Sequence, residues 1–243
     1  LPGLKPERKA VLGGGLSILY TLSQHFDIEV MRKVASVIRQ SRADIVLTHA
    51  LSDYMEDHMA CARLATSAAF THGMPNYDTV PPAAPYAHDV TIYHAMPHGL
   101  RTPLRQKVRA GLYVDVAPVQ DQARKALAAH ASQKDWLDKS QGMDSYLHTL
   151  DKMSAEVGAL SGKYALAQGW SRHLHLGYSA ANIDPLRSAL GSDCMVDAVT
   201  EAALERVRGY IDAGVMQGAD LLVDGRQFDA KQTGEGCEGG FWM

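Results

Sequence analysis

Residues 44–58 read DIVLTHALSDYMEDH, and this stretch decides how the rest of the chain is interpreted. Residues 45–47 are a short apolar run, and residues 61, 64, 65 and 68 repeat apolar side chains at helical spacing. The stretch therefore predicts a buried strand, a loop and then a helix. Open α/β sheets bind ligands and metals in such loops, at the carboxyl ends of their strands.

Similar patterns on both sides of this stretch extend the prediction to the whole chain. Helices are predicted over 29–40 (with Val30, Val34, Val37 and Ile38 on one face), 57–70, 119–134, 143–158 and 200–213, and strands over 90–94, 113–116 and 221–223. Residues 4–26 contain an apolar helix face interrupted by three glycines, residues 73–85 predict a proline-rich loop covering a site, and residues 169–191 look irregular. We therefore expect an α/β, Rossmann-like fold with a mostly parallel sheet and helices on both faces.

Composition limits the classes of function. The chain has 243 residues, a net charge of −3 and 46% hydrophobic residues, which is typical of a soluble globular protein. No basic surface is indicated, so we expect neither nucleic acid nor a membrane as partner. Three scattered cysteines favour reduced thiols and a cytoplasmic protein. A small-molecule substrate fits these properties, and a homo-oligomer is compatible with them.

His58 is the first candidate for chemistry, because it follows a strand and a loop at the start of a helix. A catalytic zinc has three protein ligands and an open position for water, and a carboxylate commonly orients a ligand histidine. Asp53 or Asp57 could orient His58, while His49 and His98, at predicted strand ends, could support the site through hydrogen bonds. Without a metal, the same residues would be a helix start capped by Asp57, with a partly exposed His58.

Residues 30–191 resemble the LmbE-like (PIG-L) deacetylases, zinc-dependent hydrolases that remove acetyl groups from amino-sugar conjugates. The resemblance rests on residues 42–58 and on the segments 73–77 (GMPNY), 97–99 (PHG), 140–146 (SQGMDSY) and 172–177 (RHLHLG). It implies zinc as the cofactor, His58 as a zinc ligand and an N-acetylated small molecule as the substrate.

The sequence departs from this family in two places. Met55 stands where many relatives have a histidine that polarises the substrate carbonyl, and methionine cannot donate a hydrogen bond. The family's first motif, of the Pro-His-Pro-Asp-Asp type after the first strand, is absent, and with it two zinc ligands and the general base. We therefore predict an impaired hydrolase whose first strand is lost or replaced, with unknown catalytic residues. The alternative is a non-catalytic, truncated or fused pseudoenzyme or binding module.

The flanks resemble other families. Residues 1–26 are similar to a short piece of the exopolyphosphatase/guanosine-pentaphosphate phosphatases, and residues 197–242 to a stretch of methylmalonate-semialdehyde dehydrogenases without its catalytic cysteine region. Cys237 lies in a glycine-rich loop, where an unreactive thiol is expected. The predicted organisation is an N-terminal flank (1–29), the deacetylase-like domain (30–191) and a C-terminal extension (192–243).

Overall fold

The structure is a computed structural model that describes residues 10–12, 27–131, 138–140, 142, 145–197, 209, 212–216 and 218. Within this part, six strands form one sheet. They are β1 (Ala10–Leu12), β2 (Ile45–Thr48), β3 (Thr91–Ala95), β4 (Leu112–Asp115), β5 (Ala167–Arg172) and β6 (Cys194–Val196). Their order across the sheet is β1-β2-β3-β5-β4-β6.

The sheet is mixed, whereas the sequence predicted a mostly parallel one. β1, β2 and β3 are parallel neighbours, but β5 is antiparallel to both β3 and β4, and β6 is antiparallel to β4. The described part of the connection from β4 to β5 includes the helices α3 (Gln120–Ala128) and α4 (Ser145–Ser161). The connection returns the chain to the edge at which β4 ended, where the amide of Val116 donates to the carbonyl of Leu166. β5 therefore runs in the opposite direction.

Helices cover both faces of the sheet, which confirms the predicted α/β layering. On one face, α1 (Ile28–Ser41) and α2 (Glu56–Phe70) pack on Val46 and Ile92, and α4 packs on Tyr113. On the opposite face, α5 (Pro185–Leu190) packs on Leu47 and Tyr93. Within the described residues, no helix is long and apolar enough to cross a membrane.

Asp27 and Arg42 define the ends of α1. The Asp27 carboxylate accepts a hydrogen bond from the amide of Glu29, and Arg42 ends the helix in the left-handed conformation. The helix agrees with its prediction except at Val37, which is 53% exposed. The buried face is centred on Met31, Ala35 and Ile38, so Val37 lies just beyond its edge.

Several other predictions need correction. Residues 10–12 form β1 beside β2, so the N-terminal flank supplies a strand where the first strand was expected to be lost or replaced. These residues belong to the segment 4–26, in which a helix face was predicted. The segment 169–191, expected to be irregular, contains most of β5 and all of α5. The helix predicted over 119–134 already ends at Ala128. The predicted strand 221–223, most of the helix 200–213 and residues 13–26 lie outside the described residues.

The proline-rich loop of residues 73–85 is anchored on α1 instead of covering a site. The Ser36 hydroxyl donates to the carbonyl of Pro81 at 2.6 Å. The buried Arg39 guanidinium donates to three carbonyls, those of Ala83 (3.0 Å), Thr71 (2.8 Å) and Met74 (2.7 Å). Arg39 thereby places its positive charge at the carboxyl end of α2, where the helix dipole favours it.

The division of the chain into three segments stays a prediction. The strands β1 and β6, which come from the two predicted flanks, belong to the same sheet as β2 to β5.

Candidate active site

The Asp53–His58 pair lies in the loop after β2 and at the start of α2. Asp53 is 2% exposed, and its carboxylate accepts a hydrogen bond from the amide of Met55 at 3.1 Å. Its second oxygen lies 3.2 Å from Nδ1 of His58. Since a carboxylate only accepts, Nδ1 of His58 carries the proton in this contact, and Nε2 is left with its lone pair. This is the arrangement that orients a histidine as a metal ligand or a base.

His49 supports His58 by stacking. The two rings are nearly parallel, with 5° between their planes and 4.3 Å between their centroids. Burial is the main cause that lowers the pKa of His49 below 6.5, the neighbouring His58 lowers it further, and the Asp53 carboxylate opposes both. The His49 ring is therefore held in its neutral form against the face of His58.

His98 lies at the rim of this group. Its ring is tilted against that of Tyr54 at 5.6 Å between centroids, and Tyr54 meets His58 edge to face at 6.0 Å. His98 is exposed in a short turn after β3. The structure thus brings His98 to the predicted site through Tyr54.

Asp57 does not cap the helix as the alternative interpretation required. The residue at the N-cap of α2 is Met55, which makes no side-chain capping hydrogen bond. Asp57 is buried in the first helical turn, where an acidic side chain is favoured by the helix dipole. Of the two carboxylates proposed to orient His58, Asp53 makes the contact.

His94 in β3 and His173, which follows β5, form a second pair of histidines. Nδ1 of His94 lies 2.8 Å from the carbonyl of His49, and Nε2 of His94 lies 2.9 Å from Nδ1 of His173. The carbonyl accepts, so neutral His94 donates from Nδ1 and accepts at Nε2, and His173 must donate from its own Nδ1. Burial is the main cause that lowers the pKa of both rings below 6.5.

Sequence reasoning missed the role of His173. It placed His173 in a segment, residues 169–191, that was expected to be irregular. The antiparallel register of β5, in which His94 is opposite Ser171, brings His173 alongside His94. A prediction of β5 would have been the signal, because residues two apart on a strand share a face.

The described residues supply one metal-ligand candidate but not a complete zinc site. Nε2 of His58 suits a metal, since Asp53 fixes the opposite nitrogen. Within the part of the chain that the structure describes, no group of three His, Cys, Asp or Glu side chains could hold a metal ion. A zinc hydrolase needs three ligands, so these residues alone do not fit one. Residues 13–26, which follow β1, do not contain the family's first motif either.

Comparisons with solved structures show the fold. The chain is similar to the N,N'-diacetylchitobiose deacetylase from Pyrococcus horikoshii, with a TM-score of 0.50 and 17% identity, over 68% of this chain and 58% of that one. It is also similar to the 4-carboxy-2-hydroxymuconate hydratase from Pseudomonas putida (TM-score 0.44, 22% identity, 60% and 58% covered). A conserved protein from Thermus thermophilus gives a TM-score of 0.46 at 20% identity, over 60% and 59% of the two chains. The deacetylase likeness confirms the expected fold.

Comparisons of sequence cover little of the chain. No family model matches it. A stretch of 64 residues is 44% identical to the malonate-semialdehyde dehydrogenase from Pseudomonas aeruginosa, over 25% of this chain and 12% of that dehydrogenase. The chain thus spans about an eighth of this curated relative. The match agrees with the predicted presence of a short semialdehyde-dehydrogenase-like stretch.

Proposed function

We propose that the chain is a hydrolase of the PIG-L/LmbE type that acts on the N-acetyl group of an amino-sugar-like small molecule, with reduced activity. The observation that carries this proposal is the 3.2 Å contact between the Asp53 carboxylate and Nδ1 of His58, at the carboxyl ends of parallel strands. The sequence resemblance of residues 42–58 and the deacetylase-like fold support it.

In this proposal, His58 is one zinc ligand. Asp53 holds Nδ1–H of His58 and so directs Nε2 toward the bound ion, while the stacked His49 ring limits rotation of the imidazole. Zinc would supply an acidic bound water at neutral pH. Two further ligands would have to come from residues outside the described part or from a second chain, and we derive no catalytic step through the metal.

Met55 is one reason to expect weak catalysis. It begins α2 at the place where related deacetylases have a histidine, and a thioether offers no proton to a developing oxyanion. This observation also favours the alternative function, in which the chain binds an N-acetylated small molecule without hydrolysing it.

The test is a comparison of the full chain with its His58→Ala variant. Zinc per chain is measured by mass spectrometry, and hydrolysis of N,N'-diacetylchitobiose by the appearance of free amine. We expect less than one zinc per chain and slow hydrolysis, both lost in His58→Ala. His148→Ala is the matched control, because His148 is exposed on α4 and should change neither value.

Three results would count against parts of this proposal. Hydrolysis that survives His58→Ala would contradict the role of His58. One full equivalent of zinc together with rapid hydrolysis would contradict the reduced activity. Substrate binding without any hydrolysis would support the binding module instead.

A further inference from the structure

A cavity of about 820 Å³ lies between α4 and the segment that follows β3. Its apolar lining includes Leu100, Val108, Met153 and Leu160, and its polar lining includes Arg101, Lys107, Arg109, Lys152, Glu156 and His98. The cavity therefore combines an apolar wall with a cationic rim, which suits a small molecule that has an apolar body and an anionic group.

The hairpin that forms one wall holds two cations on the same side. Arg101 and Lys107 form an antiparallel bridge, and the amide of Val108 donates to the carbonyl of Leu100 at 3.0 Å. Side chains directly opposite each other in an antiparallel pair point to the same face, and like charges placed there repel. The hairpin therefore bears an electrostatic cost that a bound anion would offset.

The other two cations of the rim already have carboxylate partners. Arg109 binds Asp197 through two hydrogen bonds of 2.9 and 3.2 Å. Lys152 lies 3.9 Å from Glu156, one turn away on α4. Among the described residues, no carboxylate pairs with the side chains at positions 101 and 107, so the positive charge of the cavity is concentrated on the hairpin.

Two ring contacts connect the cavity lining to the candidate active site. His98 lines the cavity and also contacts Tyr54 at 5.6 Å, and Tyr54 contacts His58 at 6.0 Å. His98 is therefore shared by the cavity and the group of rings around His58.

We propose that this cavity binds the anionic group, a phosphate or a carboxylate, of the small molecule whose N-acetyl group lies at His58. The proposal rests on the proposed function for the position of the N-acetyl group. One guanidinium nitrogen of Arg101 donates to the carbonyl of Arg105 at 3.1 Å. The remaining donors of Arg101 and the point charge of Lys107 are groups that bind phosphate and carboxylate oxygens. The apolar wall would cover the uncharged body of the same molecule.

The test is a binding measurement by calorimetry with the full chain at low salt. The probes are N-acetylglucosamine 6-phosphate, N-acetylmuramic acid and uncharged N-acetylglucosamine, and their comparison separates phosphate, carboxylate and no charge. We expect at least one anionic probe to bind about tenfold more tightly than the uncharged sugar, and the advantage to shrink as salt screens the charges. The variant Arg101→Gln/Lys107→Gln should lose the advantage.

Arg105→Gln is the matched control, because Arg105 is an exposed cation in the same hairpin that does not line the cavity. It should keep the advantage of the anionic probe. Equal loss in this control, or equal binding of charged and uncharged sugars by the unchanged chain, would overturn the proposal. The double variant should unfold at the same or a slightly higher temperature, since it removes a repulsion, so lost binding cannot be attributed to misfolding.

His58→Ala separates this inference from the proposed function. The variant removes the proposed metal ligand and leaves the hairpin cations in place, so charge-selective binding should persist in it. Charge-selective binding by the unchanged chain, without any hydrolysis, would contradict the proposed function and support the anion site. Hydrolysis with the same efficiency on charged and uncharged substrates would support the function and overturn the anion site.

Discussion

Asp53→Asn is the substitution that tests the candidate site most directly. The Asp53 carboxylate accepts from the Met55 amide and from Nδ1 of His58 through different oxygens. An asparagine has one acceptor oxygen and one donor nitrogen. If the oxygen keeps the hydrogen bond of the Met55 amide, the nitrogen donates toward His58, whose Nδ1 must then accept. The proton of the imidazole moves to Nε2, and the lone pair proposed for zinc is lost.

The size of the effect on stability follows from the same contacts. A hydrogen bond to a charged group contributes about 1.5–3 kcal/mol. The Asp53 side chain is 3% exposed but that of His58 is 21% exposed, so water partly replaces the lost partner. The replacement hydrogen bond from asparagine recovers a further part. We therefore expect the free energy of unfolding to fall by about 1–2 kcal/mol, which is less than the full contribution of such a hydrogen bond.

Two measurements check this prediction, urea denaturation for stability and ¹⁵N chemical shifts of the imidazole for the tautomer. Asp57→Asn is the control, because Asp57 is a buried acid of the same helical turn whose carboxylate does not orient His58. It should lose only the helix-dipole interaction, about 0.3–1 kcal/mol. An unchanged His58 tautomer in Asp53→Asn would refute the reasoning, as would an equal change of tautomer in the control.

Three other changes test the fold around the site. Gly158→Ala would gain about 1 kcal/mol of helix propensity, but the new Cβ would meet the carbonyl oxygen of Ala165 at 2.6 Å. We therefore expect the free energy of unfolding to fall by about 1–3 kcal/mol and the Tm to decrease. An unchanged Tm would contradict the close approach. Tyr93→Phe removes the buried hydrogen bond to Asp184 and should lower the free energy of unfolding by about 1–3 kcal/mol in urea, with an unchanged midpoint as the contrary result. Burial lowers the pKa of His94 in the folded chain below 6.5. As the pH falls, this histidine is therefore protonated in the unfolded chain before it is protonated in the folded chain. The free energy of unfolding should decrease from about pH 6.5 downward until the folded chain is also protonated. His94→Gln should flatten this dependence in urea melts between about pH 7 and 5, and an equal slope in both proteins would disprove it.

The sequence predicted the part of the site that is contiguous in the chain. The apolar run of β2 and the helical spacing in α2 placed His49, Asp53 and His58 in one loop, because both patterns reflect burial on a regular face. The orientation of His58 by an acid followed from the same proximity, although the choice between Asp53 and Asp57 needed the backbone geometry of the turn.

The parts of the site that come from distant segments could not be predicted in this way. β5 reads AQGWSR and lacks the β-branched residues typical of strands, and its Gly169 is small because Met96 packs against it. Because β5 was not predicted, its register with β3 was unknown. The contact of His94 with His173, 79 residues further along the chain, therefore could not be predicted. The cationic hairpin had no sequence signature either, since nothing in the five residues TPLRQ between Arg101 and Lys107 indicates that these two cations are paired.

The hydrogen bonds of the Arg39 guanidinium should limit motion of the segments that they join. One guanidinium joins α1 to the end of α2 and to residues 74–83, so opening this region would break three charge-assisted hydrogen bonds at once. Slow amide exchange is expected in Tyr77 and Val80, whose amides are also hydrogen-bonded.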